Sequence, residues 1–126
     1  MLTLVIGGRS QGKSEFIRTR FSLSDAEIVS ASQTDAYLSA RALVHLEELV
    51  RARGGAALSA LEEWLASGDR IVCCDEVGLG VVPVDRAERE YRDEVGKTLC
   101  ALAARADAVY ESVCGILLPL KGEKGI

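Results

Sequence analysis

Residues 7–14 read Gly7-Gly8-Arg9-Ser10-Gln11-Gly12-Lys13-Ser14 and satisfy G-x-x-x-x-G-K-[ST] at every fixed position. Glycines let the backbone turn tightly and come close to an anion. Successive N–H groups then point at phosphate oxygens, and the N-terminus of a following helix adds its dipole. In such a loop the Lys13 ammonium meets the terminal phosphates and the Ser14 hydroxyl ligates Mg2+. The chemistry implied is the capture of ATP or GTP with Mg2+. Kinases, hydrolases and switches all use this loop, so it leaves the reaction open.

A second segment, Ile71-Val72-Cys73-Cys74-Asp75-Glu76, is an apolar run ending in two acids. Asp75 at such a strand end would hold Mg2+ through water, and Glu76 would orient an attacking water, the arrangement of an NTP hydrolase. Asp75 and Glu76 can equally cap the loop that follows. His45 is the chain's one histidine. It is either a nucleophile toward a nucleotide α-phosphate or a polar residue on an amphipathic helix. Arg86, Arg89 and Arg92 recur every three residues, as a basic edge that meets phosphates or as partners for Glu88, Glu90, Asp93 and Glu94. Trp64, Tyr37 and Tyr91 are too scattered for a base-stacking platform and are expected in packing.

The elements that would position these groups follow from hydrophobic patterning. Leu2 to Ile6 is a continuous apolar run, the pattern of a strand buried on both faces of a parallel sheet. After the loop a helix is expected from about Gly12 to Arg20, then a short strand at Glu27 to Ser30. Leu38, Ala42, Leu43, Leu46, Leu49 and Val50 recur at helical spacing and predict one long helix, ended by Gly54-Gly55. A further helix is expected at Ala57 to Ala66, a strand at Arg70 to Cys74, and a loop at Val77 to Pro83. Then follow a helix at Asp85 to Arg105 and a last strand at Ala108 to Cys114, with a frayed tail from Lys121. Strands alternating with helices predict one domain over residues 1–126: α/β, a three-layer α/β/α P-loop NTPase-like fold with a mostly parallel sheet.

Bulk properties narrow the partners. A length of 126 residues suffices for one buried core. The formal net charge is -4 and no basic stripe occurs, which argues against nucleic acid and against an anionic membrane surface. Cys73, Cys74, Cys100 and Cys114 include no C-x-x-C pair, so they read as buried free thiols in a reducing compartment. The apolar N-terminus lacks a basic flank and runs straight into glycines, which reads as a strand and not a signal peptide. A cytoplasmic protein is the expectation. Association into a homo-oligomer is left open.

Beyond the generic reading, Asp75-Glu76-Val77-Gly78-Leu79-Gly80-Val81-Val82-Pro83 resembles the N-E-V-G-x-G-x-V-P signature of adenosylcobinamide kinase/adenosylcobinamide-phosphate guanylyltransferases, enzymes of cobalamin assembly. Arg89-Glu90-Tyr91-Arg92-Asp93 is similar to that family's A-R-x-F-R-D, and Leu102 to Asp107 to its L-A-x-x-A-D. Ile6 to Ser14 resembles its T-G-G-x-R-S-G-K-S with Gln11 additional, and Ser30-Ala31-Ser32-Gln33 its A-T-S-Q. The resemblance covers about residues 1–20 and 69–121. It implies a P-loop fold, a nucleoside triphosphate and a cobinamide-like acceptor, with Arg89 and Arg92 near phosphate. In that family a His in R-I-x-x-H-x-x-R-P takes GMP covalently. Here Arg41 and His45 keep the spacing, while Leu46-Glu47-Glu48-Leu49 stands where the Arg-Pro would be. Asp75 replaces the family's Asn, and the family's acid-bearing D-C-L-T strand has no counterpart recognisable from sequence.

Three functions therefore stand side by side. The first is phosphoryl transfer from ATP or GTP to a cobinamide-like hydroxyl, with Lys13 and Mg2+ neutralising charge and His45 available for a guanylyl half-reaction. The second is an NTP hydrolase using Asp75 and Glu76. The third is a nucleotide-binding regulatory module without turnover.

Overall fold

The computed structural model describes residues 1–7, 12–31, 39–75 and 85–122. Strand β1 (Leu2–Gly7) is buried along nearly its whole length. Parallel neighbours flank it on both sides: β4 (Arg70–Asp75) and β5 (Ala108–Val113). Among the described residues, β2 (Ile28–Ser30), β3 (Ala42–Val44) and β6 (Ile116–Lys121) complete a six-stranded sheet of order β2-β3-β4-β1-β5-β6, in which only β6 runs antiparallel. The apolar runs of β1 and β4 lack alternation because both faces of the sheet are covered, as a parallel sheet requires.

Period-2 geometry sends successive side chains to opposite faces and makes two cores. Leu4, Leu43, Val72 and Cys74 face helices α2 (Leu46–Arg53), α3 (Ala57–Ala66) and α4 (Arg86–Arg105), meeting Leu46, Leu61, Trp64 and Leu102. Val5, Ala42, Ile71 and Cys73 face α1 (Lys13–Arg20) through Ile17, with Leu23 beside it. This is the expected three-layer α/β/α arrangement. Trp64 is a packing residue, its indole N–H donating to the Ala40 carbonyl at 2.8 Å. Asp85 accepts from the Ala87 N–H at 2.8 Å and caps α4, which starts where the pattern placed it.

Two expectations are corrected. The long helix predicted across Leu38 to Val50 does not exist as one element: Ala42–Val44 is β3, and α2 begins only at Leu46. All of β3 is buried between β2 and β4, pairing Ala42 with both Ile28 and Ile71. Sheet pairing there overrides the helical spacing of its side chains. The last strand is also not the end of the fold. A two-residue turn, Cys114 (φ 50) and Gly115 (φ 80), folds the chain back into β6 with Val113 opposite Ile116. Positive φ at both turn residues matches the right-handed twist of the flanking strands.

Cys73 and Cys74 are buried as expected, but Cys100 and Cys114 are exposed. Burial pushes the Cys73 thiol up to about 12, and raises Cys74 further. Both stay protonated and behave as small apolar side chains. Among the described residues no helix is long and apolar enough to cross a membrane.

Candidate functional site

The polar chemistry gathers beyond the carboxyl ends of the parallel strands. Gly7, the last residue of β1, lies in register with Asp75 of β4 and Ser112 of β5. The helix after β1 packs on one face of the sheet and the helix after β4 on the other. The chain thus parts on either side of β1 and β4, and ligands of open α/β sheets bind in the crevice so formed.

Glycine is needed at two points there. A Cβ on Gly7 would lie 2.5 Å from the Ser112 carbonyl oxygen, so β1 and β5 could not keep their spacing. Gly12, at φ 84, is left-handed and starts α1, accepting from the Phe16 N–H at 3.0 Å. A side chain in that conformation costs about 1–2 kcal/mol. Gly7→Ala is expected to destabilise the fold by about 1–3 kcal/mol through this overlap. A denaturant midpoint unchanged within error would contradict the tight approach of β5.

Lys13 is the first residue of α1 and is buried, 6% exposed. Its Nζ donates to the Gly7 carbonyl at 3.2 Å and lies 2.7 Å from Asp75 Oδ1. The lysine of the glycine loop and the acid at the end of β4 are therefore joined. Such a pair persists only where geometry and further hydrogen bonds offset the loss of water.

Beside the pair lies a residue that sequence reasoning missed. Glu47, in the first turn of α2, is buried, and its Oε1 accepts the Asp75 backbone N–H at 2.9 Å. Its Oε2 lies 3.3 Å from His45 Nδ1. His45 Nδ1 also lies 3.7 Å from Asp75 Oδ2. The signal was present: an apolar run, Ala42-Leu43-Val44, ends in a histidine and an acid much as Ile71–Cys74 ends in Asp75. Reading that run as helix hid it.

His45 thus sits at a strand end and not on a helix. Its backbone is left-handed, φ 59, a conformation histidine adopts more readily than most residues. This kink turns the chain from β3 into α2 and brings His45 and Glu47 onto Asp75. The imidazole stays 48% exposed while both carboxylates are buried. Arg41 and His45, four apart, stand at opposite ends of β3 instead of one helical turn apart. Arg41 pairs with Glu27 at 3.1 Å, away from the cluster.

The other expected residues fall as follows. Ser14 is exposed on the first turn of α1. Gly8, Arg9, Ser10, Gln11 and Glu76 lie outside the described residues, as does the run Val77–Pro83. Arg86 pairs with Glu90 at 3.0 Å. Arg89 is exposed and Arg92 half-buried on α4, and neither has an ion-pair partner among the described residues. The helix reaches the site differently: the Tyr91 hydroxyl, raised by burial and so protonated, donates to the Glu47 carbonyl at 3.1 Å. The Arg51 guanidinium lies 3.8 Å from the centre of the Tyr91 ring and bonds Glu88 at 3.0 Å, fixing α2 against α4.

Beside the start of α1 opens a cavity of about 540 Å³, walled by Gly12, by Phe16, Thr19 and Arg20 of α1 and by Gly115 and Leu117 of the β5–β6 hairpin. Its volume is in the range of nucleotide-sized ligands.

Residues 37–120 match the family described as Cobinamide kinase / cobinamide phosphate guanyltransferase. The bifunctional adenosylcobalamin biosynthesis protein CobP of Pseudomonas aeruginosa is 45% identical over 56 residues, 44% of this chain and 32% of that protein. The bifunctional adenosylcobalamin biosynthesis protein CobU of Salmonella typhimurium is 41% identical over 51 residues, 40% of this chain and 28% of that protein. The matched stretch spans less than a third of the length of either relative.

Proposed function

Starting from the premise that this chain belongs to the cobinamide kinase / cobinamide phosphate guanyltransferase family, we propose that it transfers the terminal phosphoryl group of ATP or GTP to a hydroxyl of a cobinamide-like acceptor. The observation that carries this reading is the Lys13–Asp75 pair, 2.7 Å long and buried where β1 and β4 end. A lysine that leads a helix from a glycine-rich loop can exchange a carboxylate for a phosphate oxygen without leaving its place. The N-terminus of α1 and the amides around Gly12 to Ser14 then face the same anion.

In the reaction the acceptor oxygen forms a bond to the γ-phosphorus as the bond to the β–γ bridging oxygen breaks. The acceptor proton leaves to water, since no general base is identified among the described residues. Lys13 balances the charge that gathers on the leaving oxygens. The Ser14 hydroxyl and an Asp75 oxygen, freed when Lys13 turns to phosphate, are hard oxygen donors of the kind Mg2+ takes. Bound there, Mg2+ would supply further neutralisation of the phosphates. The cavity beside Gly12 and Phe16 would receive the nucleoside, and Arg89 and Arg92, without an ion-pair partner among the described residues, would meet the acceptor.

A second reading concerns His45. Its Nδ1 faces Glu47 Oε2 at 3.3 Å, which would hold the tautomer that leaves Nε2 as a nucleophile toward the α-phosphate of GTP. One experiment separates the readings. ATP or GTP labelled at the γ-phosphate, given with adenosylcobinamide, should place label on the corrinoid. Phosphate released without acceptor would establish the hydrolase instead, and binding without turnover the regulatory module. GTP labelled at the α-phosphate should leave acid-labile label on the protein, lost in His45→Ala, only if the guanylyl step operates.

A further inference from the structure

We propose that His45, Glu47 and Asp75 form a binding site for one zinc-like divalent cation, occupied without any nucleotide. The three side chains come from the end of β3, the first turn of α2 and the end of β4. They offer one nitrogen and two carboxylate oxygens, all within 4.8 Å of one another. His45 Nδ1 stands 3.3 Å from Glu47 Oε2 and 3.7 Å from Asp75 Oδ2. A tetrahedron of ~2.1 Å metal bonds has edges of ~3.4 Å, which these distances bracket.

Each carboxylate is oriented through its other oxygen. Glu47 Oε1 is held by the Asp75 N–H at 2.9 Å, and Asp75 Oδ1 by Lys13 at 2.7 Å. That leaves Oε2 and Oδ2 both directed at the imidazole, with outer partners fixing their aim as they do around metal ligands. Charge favours a cation as well. Among the described residues, two buried carboxylates and one buried ammonium, Lys13, meet here, an arrangement that leaves room for a cation. His45, half exposed, keeps one side of the cluster open to solvent, where water would complete the coordination. A nitrogen ligand with two carboxylates suits Zn2+ or Co2+ over Mg2+, which prefers oxygen alone. The site shares Asp75 with the place proposed for the Mg2+ of a triphosphate but uses the other oxygen, Oδ2, and its occupancy does not depend on phosphoryl transfer.

The full chain, free of nucleotide, would be titrated with Zn2+ and with Co2+. His45 is the sole histidine, so the imidazole nitrogen resonances report this site without ambiguity. One equivalent of Zn2+ should shift Nδ1 strongly, and one equivalent of Co2+ should develop the intense visible absorption of a four- or five-coordinate ion. His45→Asn, which tolerates the left-handed backbone, and Glu47→Gln should each weaken binding at least ~10-fold. An unshifted imidazole at one equivalent of Zn2+ overturns the site. So does a Co2+ spectrum that survives both substitutions or vanishes in Cys100→Ser/Cys114→Ser, since those exposed thiols would then be the ligands.

Discussion

Lys13→Met is expected to lower kcat/KM for the triphosphate by about 10²–10³-fold, the scale seen when one positioned charge donor is removed from a transition state. The substitution keeps the length and apolar stem of the side chain and removes only the ammonium. It deletes the group that bonds both Gly7 and Asp75 and that would bond phosphate in their place. Loss in kcat as well as in affinity is the informative outcome, because charge develops on the phosphates during transfer. An effect confined to KM would mean that Lys13 binds nucleotide without assisting chemistry. Full activity would remove Lys13 from the site.

Asp75→Asn should have the largest effect on stability. It removes the carboxylate charge that the buried Lys13 ammonium meets at 2.7 Å, and breaking a buried pair from one side costs about 3–5 kcal/mol. For a chain of this length the melting temperature should fall by roughly 10 °C or more. The double variant Lys13→Met/Asp75→Leu separates charge from packing. It should recover most of the lost stability, because neither partner is then left charged. A double variant as unstable as Asp75→Asn would show that the aspartate acts through shape or through its links to Glu47 and His45. Measured together, the two variants ask whether the pair that stabilises the fold is the same pair that serves the nucleotide.

Much of this was legible in the sequence. β1, β4, α1, α3 and α4 all follow from apolar runs and stop residues, because long buried strands and long helices leave unmixed patterns. Three features were not. Ala42, Leu43 and Val44 are a three-residue strand buried on both sides, and three apolar residues fit a helix face as well as a strand. Only pairing with Ile28 and Ile71, remote in sequence, decides between them. The hairpin into β6 carries Cys114-Gly115 where Asn-Gly would announce the turn, and β6 itself is largely exposed. Glu47 is an acid on the buried side of α2, where pattern alone expects an apolar residue. The strand and the acid are linked: once β3 is recognised, His45 and Glu47 fall at the sheet's carboxyl end, and Glu47 joins the three residues already named, Lys13, His45 and Asp75.

In the proposed function the amides opening α1, with Lys13 among them, gather a triphosphate where β1 ends. Backbone amide resonances of Gly12, Lys13 and Ser14, followed while ATP or GTP is added with Mg2+, test it most directly. Saturable shifts centred on those three amides and on Asp75, absent in Lys13→Met, are expected. Shifts that are missing, or that gather elsewhere on the molecule while these amides stay still, would contradict it.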